Sequence, residues 1–290
     1  KSDIENSGLP KNGTTAIAES RTYSVTSYYE VRNGGFETPN VRDKYKDYNH
    51  YQYSNADYAS SGGVWQTTGI GTGGKAGCDI EIINTKDDSY KSPYSWYGSD
   101  GAAEGNQFAE LNCEAAGALY QDILTTPNSQ CYWDLDYAGR WCQNSMYVVA
   151  MSAKDARNYT TAEQIKALIS KDEVKAIETN KEGTTGTTIK LSDGVTATMW
   201  KVTSEKNAGE WNDHNGIYNA PSGDKNYITR FFFVSAGGAK RNESDTANET
   251  VGSLLDNVTF EQRQSYTIEY YVDGQKQDNL TVNGTVNPYD

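Results

Sequence analysis

Residues 105–140 read GNQFAELNCEAAGALYQDILTTPNSQCYWDLDYAGR, and their alternation decides the fold class. Residues 107–113 alternate with period two. In residues 118–124, Leu119, Gln121 and Ile123 share one parity, and Tyr120 and Asp122 share the other. Residues 131–137 set Trp133, Leu135 and Tyr137 against Tyr132, Asp134 and Asp136. Successive side chains of a strand point to opposite faces, so these runs, separated by turn-rich breaks, predict three half-buried strands lying side by side in one antiparallel sheet. The parity sends Leu119, Ile123, Trp133 and Leu135 to a core. It sends Glu110, Asn112, Asp134 and Asp136 to the other face, where on adjacent strands they form a polar ridge suited to sugar hydroxyls.

Working outward, residues 1–30 are predicted to be an N-terminal arm or linker, although residues 22–29 are strand-like. The next segment turns at Asn33-Gly34-Gly35 and runs into an extended stretch before Pro39. Residues 45–58 are dense in Tyr and show no clear period. Strands are expected at residues 65–68, 79–83, 145–151, 187–191, 195–202, 227–235 and 253–262, with connections short enough for antiparallel pairing and no βαβ rhythm. One interruption is helical. Residues 160–169 carry an N-cap candidate, an early Glu163 and helically spaced Ile165, Leu168 and Ile169, with a further turn or two over residues 172–179. This reads as an insertion on a β scaffold. A C-terminal hairpin is expected from the strand 266–272, the Asp273-Gly274 turn signal and the partner run 280–286. The domain reading is an arm over 1–30, a β-sandwich over 31–262, and a hairpin over 263–290 that docks or begins a further unit.

The chain has 290 residues, room for one large β domain or two smaller units. Its apolar fraction is only 36%, but 22 Tyr add burial area while keeping a polar tip. A net charge of −13 argues against nucleic acid or an anionic membrane surface as partner, since both select basic patches. No apolar run approaches the ~18 residues of a membrane span. The start at Lys1-Ser2-Asp3, without Met or a signal peptide, reads as an excerpt of a longer or processed protein.

The four Cys lack C-x-x-C spacing, and only His50 and His214 could join them, which disfavours zinc. Two disulfides suit an exported β protein and allow three connectivities; Cys131–Cys142 between adjacent strands is preferred, leaving Cys78–Cys113. The alternative is four buried thiols in a cytosolic protein.

Several separated motifs then agree. NGGFETP (33–39), WQTT (65–68), IEI (80–82), EGNQFAELN (104–112), ALYQDI (118–123), AGR (138–140), TRFFFVS (229–235) and GSLLDNVTF (252–260) occur in this order. Together they resemble the jelly-roll, galactose-binding-like modules of Gram-positive surface proteins, relatives of the carbohydrate-binding modules. The resemblance implies an all-β antiparallel jelly-roll sandwich, a non-catalytic extracellular adhesin module, and a host glycan or glycoprotein as partner. Direct recognition of a host protein such as immunoglobulin or mucin, or a stalk role, is the alternative. Matching NGGFE and LLDNV also implies a structural calcium held by Glu37 and Asp256, whose hard oxygens suit that ion. The bland alternative is that the two carboxylates only satisfy turn amides. The helical insertion and the four Cys depart from the family pattern; a small residue is usual at the position of Cys113. The tail from residue 266 resembles the start of a mucin-binding-type β repeat.

Candidate ligand contacts come from chemistry. Arg140 offers a planar fork for carboxylate or hydroxyls, or else pairs structurally with Glu110 or Asp136. Tyr48, Tyr51, Trp96, Tyr97, Trp141 and Trp211 offer rings for sugar stacking or protein contact. Trp65, Trp133 and Trp200 are assigned to the core. Carboxylate pairs alone do not define a glycosidase, and no Ser, Cys or His nucleophile constellation is present.

Overall fold

The computed structural model describes residues 28–44, 50–69, 79–85, 101–113, 117–140, 144–191, 194–204, 209–238 and 250–286. Two short helices, α1 (Val41–Lys44) and α2 (Asn55–Ser60), flank β1 (His50–Tyr53). Then follow β2 (Gln66–Thr67), β3 (Ile80–Asn84), β4 (Gln107–Glu110), β5 (Ala118–Thr125), β6 (Gln130–Gly139) and β7 (Ser145–Ser152). An insertion carries α3 (Ala162–Ile169) and α4 (Asp172–Lys175). The chain resumes with β8 (Thr187–Lys190), β9 (Thr196–Thr203), β10 (Asn212–Asn219), β11 (Tyr227–Ser235) and β12 (Ser253–Ile268). It closes with β13 (Tyr271–Val272), β14 (Gln275–Lys276) and β15 (Val282–Val286).

The strands form an antiparallel jelly-roll sandwich. One sheet runs β1-β3-β4-β12-β6-β10, with β15 on the far end of β12, and the other runs β2-β5-β11-β7-β9-β8. Between them lie Ile82, Leu119, Ile123, Trp133, Leu135, Val148, Trp200 and Phe231. The parity of residues 105–140 therefore holds, and Trp65, Trp133 and Trp200 are all buried as expected. Trp133 and Trp200 meet edge to face at 5.5 Å across the interface. Gly216 lies over the first ring and Gly186 over the second, each where a Cβ would sit 2.5 Å from ring atoms.

The expected adjacency of the three opening strands is corrected. β4 and β6 share a sheet but β12 lies between them, and β5 belongs to the opposite sheet. The chain crosses the core at each connection. Alternation reports which face a side chain takes, not which strand lies beside it.

The insertion packs on the outer face of the six-stranded sheet. Thr161 caps α3 by accepting from the Gln164 N–H, and Gln164 closes a capping box. Ile165, Leu168, Val174 and Ile177 settle on Tyr147, Val149, Met199 and Phe232 to form a second core. This makes a third layer over part of the sandwich.

Two strands of the sandwich sheets escape sequence reading. β1 sits in the Tyr-dense segment, and the inward positions of β10 are Asn212, His214, Gly216 and Tyr218, which give no apolar rhythm. At the C-terminus, Asp273 and Gly274 take positive φ (49° and 79°) in the turn joining β13 and β14. The later run pairs, residue for residue, with Gln264–Ile268 of β12, which includes the start of the expected partner strand at 266–268, while the Asp-Gly turn closes only the small β13–β14 hairpin.

The expected Cys131–Cys142 bridge is not formed. Cys131 keeps a free thiol. It lies on the inward parity of β6 within the sandwich core, beside Ser129 Oγ at 3.5 Å. Burial pushes the thiol up to about 11. Cys113 is buried, and Cys78 and Cys142 lie outside the described residues.

Candidate functional site

Glu37 and Asp256, far apart in sequence, converge on one loop. Glu37 Oε1 accepts from the N–H groups of Asn106 (2.6 Å) and Gln107 (2.8 Å). Asp256 Oδ2 accepts from Ala103 (2.9 Å) and Glu104 (3.0 Å), and its Oδ1 from Asn257 (2.8 Å). Gly105 is needed between them. Its φ is +61°, and a Cβ there would lie 2.4 Å from Glu37 Oε1. Gly35 lies beside Glu104 Oε2 and Asp256 Oδ1. Burial pushes the Asp256 carboxyl up to about 8 in spite of its three amide donors. Among the described residues, no group of three or more His, Cys, Asp or Glu side chains is set to hold a metal. Any cation here depends on Glu37, Asp256 and backbone oxygens.

The predicted polar ridge divides in two. Glu110, Asn112 and Arg140 turn into a buried knot, while Asp134 and Asp136 stay half exposed on the outer face of the seven-stranded sheet. Arg140 Nη1 donates to both oxygens of Glu110, at 2.9 and 3.0 Å, and the Gly252 N–H donates to Glu110 Oε1 at 2.7 Å. Glu81 stands opposite Glu110 in the ladder between β3 and β4. Burial, then the Glu81 charge, push the Glu110 carboxyl up to about 8 against the pull of Arg140.

On the exposed part, Asp134 and Asp136 face Asn215 and Asp213 of β10, and Asp136 faces Asp256 of β12 on its other side. Asn257 Nδ2 donates to Asp136 Oδ2 at 3.2 Å. Burial, followed by the Asp213 carboxylate, pushes Asp134 up to about 6; burial also raises Asp136. Sequence reading did not find Asp213 or Asn215, because β10 itself was not recognised. The alternation of Asp213 and Asn215 about His214 was the available signal.

Of the aromatic candidates, Tyr51 is half-buried and meets Tyr53 edge to face at 4.5 Å. Trp211 donates its Nε1–H to Gly101 O at 2.9 Å and packs on Phe108. Both are anchored rather than free-standing. Tyr48, Trp96, Tyr97 and Trp141 lie outside the described residues.

A further outward group was missed. Arg230 forks onto Asp122, with Nε to Oδ1 at 2.7 Å and Nη2 to Oδ2 at 2.9 Å, and lies 4.2 Å over the Tyr120 ring. The Arg inside the run TRFFF was the signal, since Asp122 already had outward parity.

No protein-family model matches the chain, and no curated protein matches it. Similar solved structures include a cyclase from Fischerella sp. TAU, at 12% identity and TM-score 0.40, covering 79% of this chain and 94% of that one. The CBM22-2 xylan-binding domain of Paenibacillus barcinonensis Xyn10C is similar at 10% identity and TM-score 0.36, covering 73% and 96%. TmCBM61, solved in complex with beta-1,4-galactotriose, is similar at 10% identity and TM-score 0.35, covering 81% and 98%. None of these values carries an activity or ligand across to this chain.

Proposed function

We propose that this chain is a non-catalytic extracellular binding module of a bacterial surface adhesin, recognising a host glycan or glycoprotein. The observation that carries the reading is the outward ridge of Asp134, Asp136, Asp213 and Asn215. These groups project from paired strands of a rigid sheet, where the carboxylates accept from sugar hydroxyls and the Asn215 amide, its Oδ1 taken by the Gly183 N–H at 2.7 Å, keeps its Nδ2 to donate. Their setting on the ladder fixes their spacing before a ligand arrives. The adhesin context rests on the motif resemblance. A structural calcium belongs to the same reading, with Glu37 and Asp256 as its carboxylate ligands and the Gly34-Gly35 turn supplying carbonyls. Such an ion would hold the 103–107 loop against the sandwich.

The test is a glycan array probed with the purified chain, followed by binding to a host glycoprotein before and after periodate treatment. Binding abolished by periodate and by Asp134→Asn/Asp213→Asn supports the reading. Binding that survives glycan destruction sinks it.

Direct protein recognition is favoured by a separate observation. Tyr266, Ile268, Tyr270, Tyr271, Val272, Leu280 and Val282 are all exposed in the C-terminal hairpin region, and exposed apolar clusters mark protein contacts. Binding that survives periodate and is lost on truncation after residue 263 would select this reading.

A further inference from the structure

The helical insertion does more than cover the sheet. Between α4, the edge strand β8 and its neighbour β9 lies a groove of about 630 Å³, within the ~300–1,000 Å³ usual for small-molecule sites. Its far wall is an arch over residues 179–187 that ties the two sheets together. The Asn180 N–H donates to Lys201 O on β9 at 2.7 Å, and its Nδ2 to Asn215 O on β10 at 2.8 Å. The Gly183 N–H donates to Asn215 Oδ1 at 2.7 Å, and the Ile217 N–H to Thr184 O at 3.0 Å. The walls are thus fixed in advance, which lowers the ordering cost of binding.

The lining has a distinct chemistry. Ile177, Met199 and the edge of Trp200 form an apolar floor. Gly186 brings the arch against the Trp200 ring, an approach that a Cβ would block at 2.5 Å. Trp200 Nε1 donates to Thr184 O at 3.3 Å, which couples the indole to the arch. Above the floor, the hydroxyls of Thr185 and Thr187 have no intramolecular partner among the described residues. At the rim, Glu173, Glu178 and Lys181 supply two negative charges and one positive. An apolar floor under free hydroxyls, with a rim of two carboxylates and one ammonium, suits a ligand with an apolar face and a periphery of hydroxyl donors. It does not suit an anion, which would want more than one cation, or a purely apolar molecule.

We propose that this groove is a second saccharide site, separate from the Asp134–Asp213 ridge and built by the insertion. The inference rests on the glycan-binding reading above. The probes are neutral di- and trisaccharides of glucose, galactose and xylose, titrated into protein with labelled indole nitrogens, the Trp200 signal being assigned with Trp200→Phe. The Trp200 Nε1–H resonance is expected to shift and saturate while that of Trp65 stays put. Thr187→Trp, which fills the groove from an exposed strand position, should weaken this titration at least tenfold. Asp134→Asn/Asp213→Asn should change it less than twofold. If the array detects binding but no probe moves the Trp200 signal, the groove is not a site and the glycan reading stands. If neither the array nor the titration shows binding, both fall. A shift that persists undiminished in Thr187→Trp also overturns the groove.

Discussion

Arg140 Nη1 spans both carboxylate oxygens of Glu110, at 2.9 and 3.0 Å, with the Glu side chain fully buried and the Arg side chain 11% exposed. The pair joins the end of β6 to β4 across β12, so it ties three strands together rather than facing a ligand. Removing one partner of such a pair leaves the other charge buried. Arg140→Ala is therefore expected to cost about 3–5 kcal/mol once Glu110 is ionised, above about pH 8, and less below it, read as a lower urea midpoint. Loss of glycan binding without loss of stability would restore Arg140 to the ligand site.

The raised carboxyls set a pH dependence. Glu110 lies at about 8 and Asp134 at about 6 in the folded chain, against roughly 4.3 and 3.9 unfolded. A carboxyl raised by folding binds its proton more tightly in the native state. Its contribution is complete below the unfolded value and is lost as pH rises through the folded one. Unfolding free energy should therefore be greatest near pH 4 and fall steadily toward pH 8, as read by urea melts in dilute EDTA. Asp134→Asn should flatten the part of the curve between about pH 4 and 6. A profile that rises from pH 5 to 8 would contradict these shifts.

How much of this was legible follows from what alternation can encode. Core residues such as Leu119 and Ile123 of β5, Trp133 and Leu135 of β6, and Phe231 and Phe233 of β11 mark the inward faces, so their faces and limits came out close to the structure. Partnership between strands did not, because crossing the core leaves no trace in a period-two pattern. β10 was lost because a glycine is needed under Trp133 and polar groups fill its other inward positions. The convergence of Glu37 with Asp256 was visible only through the motif resemblance. The ridge was half legible: parity put Asp134 and Asp136 outward correctly. It could not show that β12 intervenes, or that Glu110 is drawn into an ion pair beneath the surface.

The thiol of Cys131 provides a direct check on the core. It is buried on the inward face of β6, and burial holds its proton well above the ordinary range. Thiolate is the reactive form, so native protein should not react with Ellman's reagent at Cys131, and unfolded protein should. Mapping the labelled site by peptide digestion isolates this residue from the other cysteines. A Cys131 peptide found only in disulfide linkage, before any reductant is added, would restore the Cys131–Cys142 bridge.

Calcium is tested at the loop that Glu37 and Asp256 share. If the ion binds the folded chain and not the unfolded one, a hundredfold excess over its dissociation constant adds about 2.7 kcal/mol. Melting should then rise with added calcium and fall on treatment with EDTA. Glu37→Gln/Asp256→Asn should abolish the difference between the two conditions while retaining acceptors for the loop amides. Gly105→Ala is a control of another kind. It strains a positive φ and crowds Glu37, so it should cost more than about 1 kcal/mol with or without calcium. Identical melting in calcium and EDTA for the unmodified chain would leave the two carboxylates as amide acceptors alone, since their five hydrogen bonds to the loop and to Asn257 need no ion.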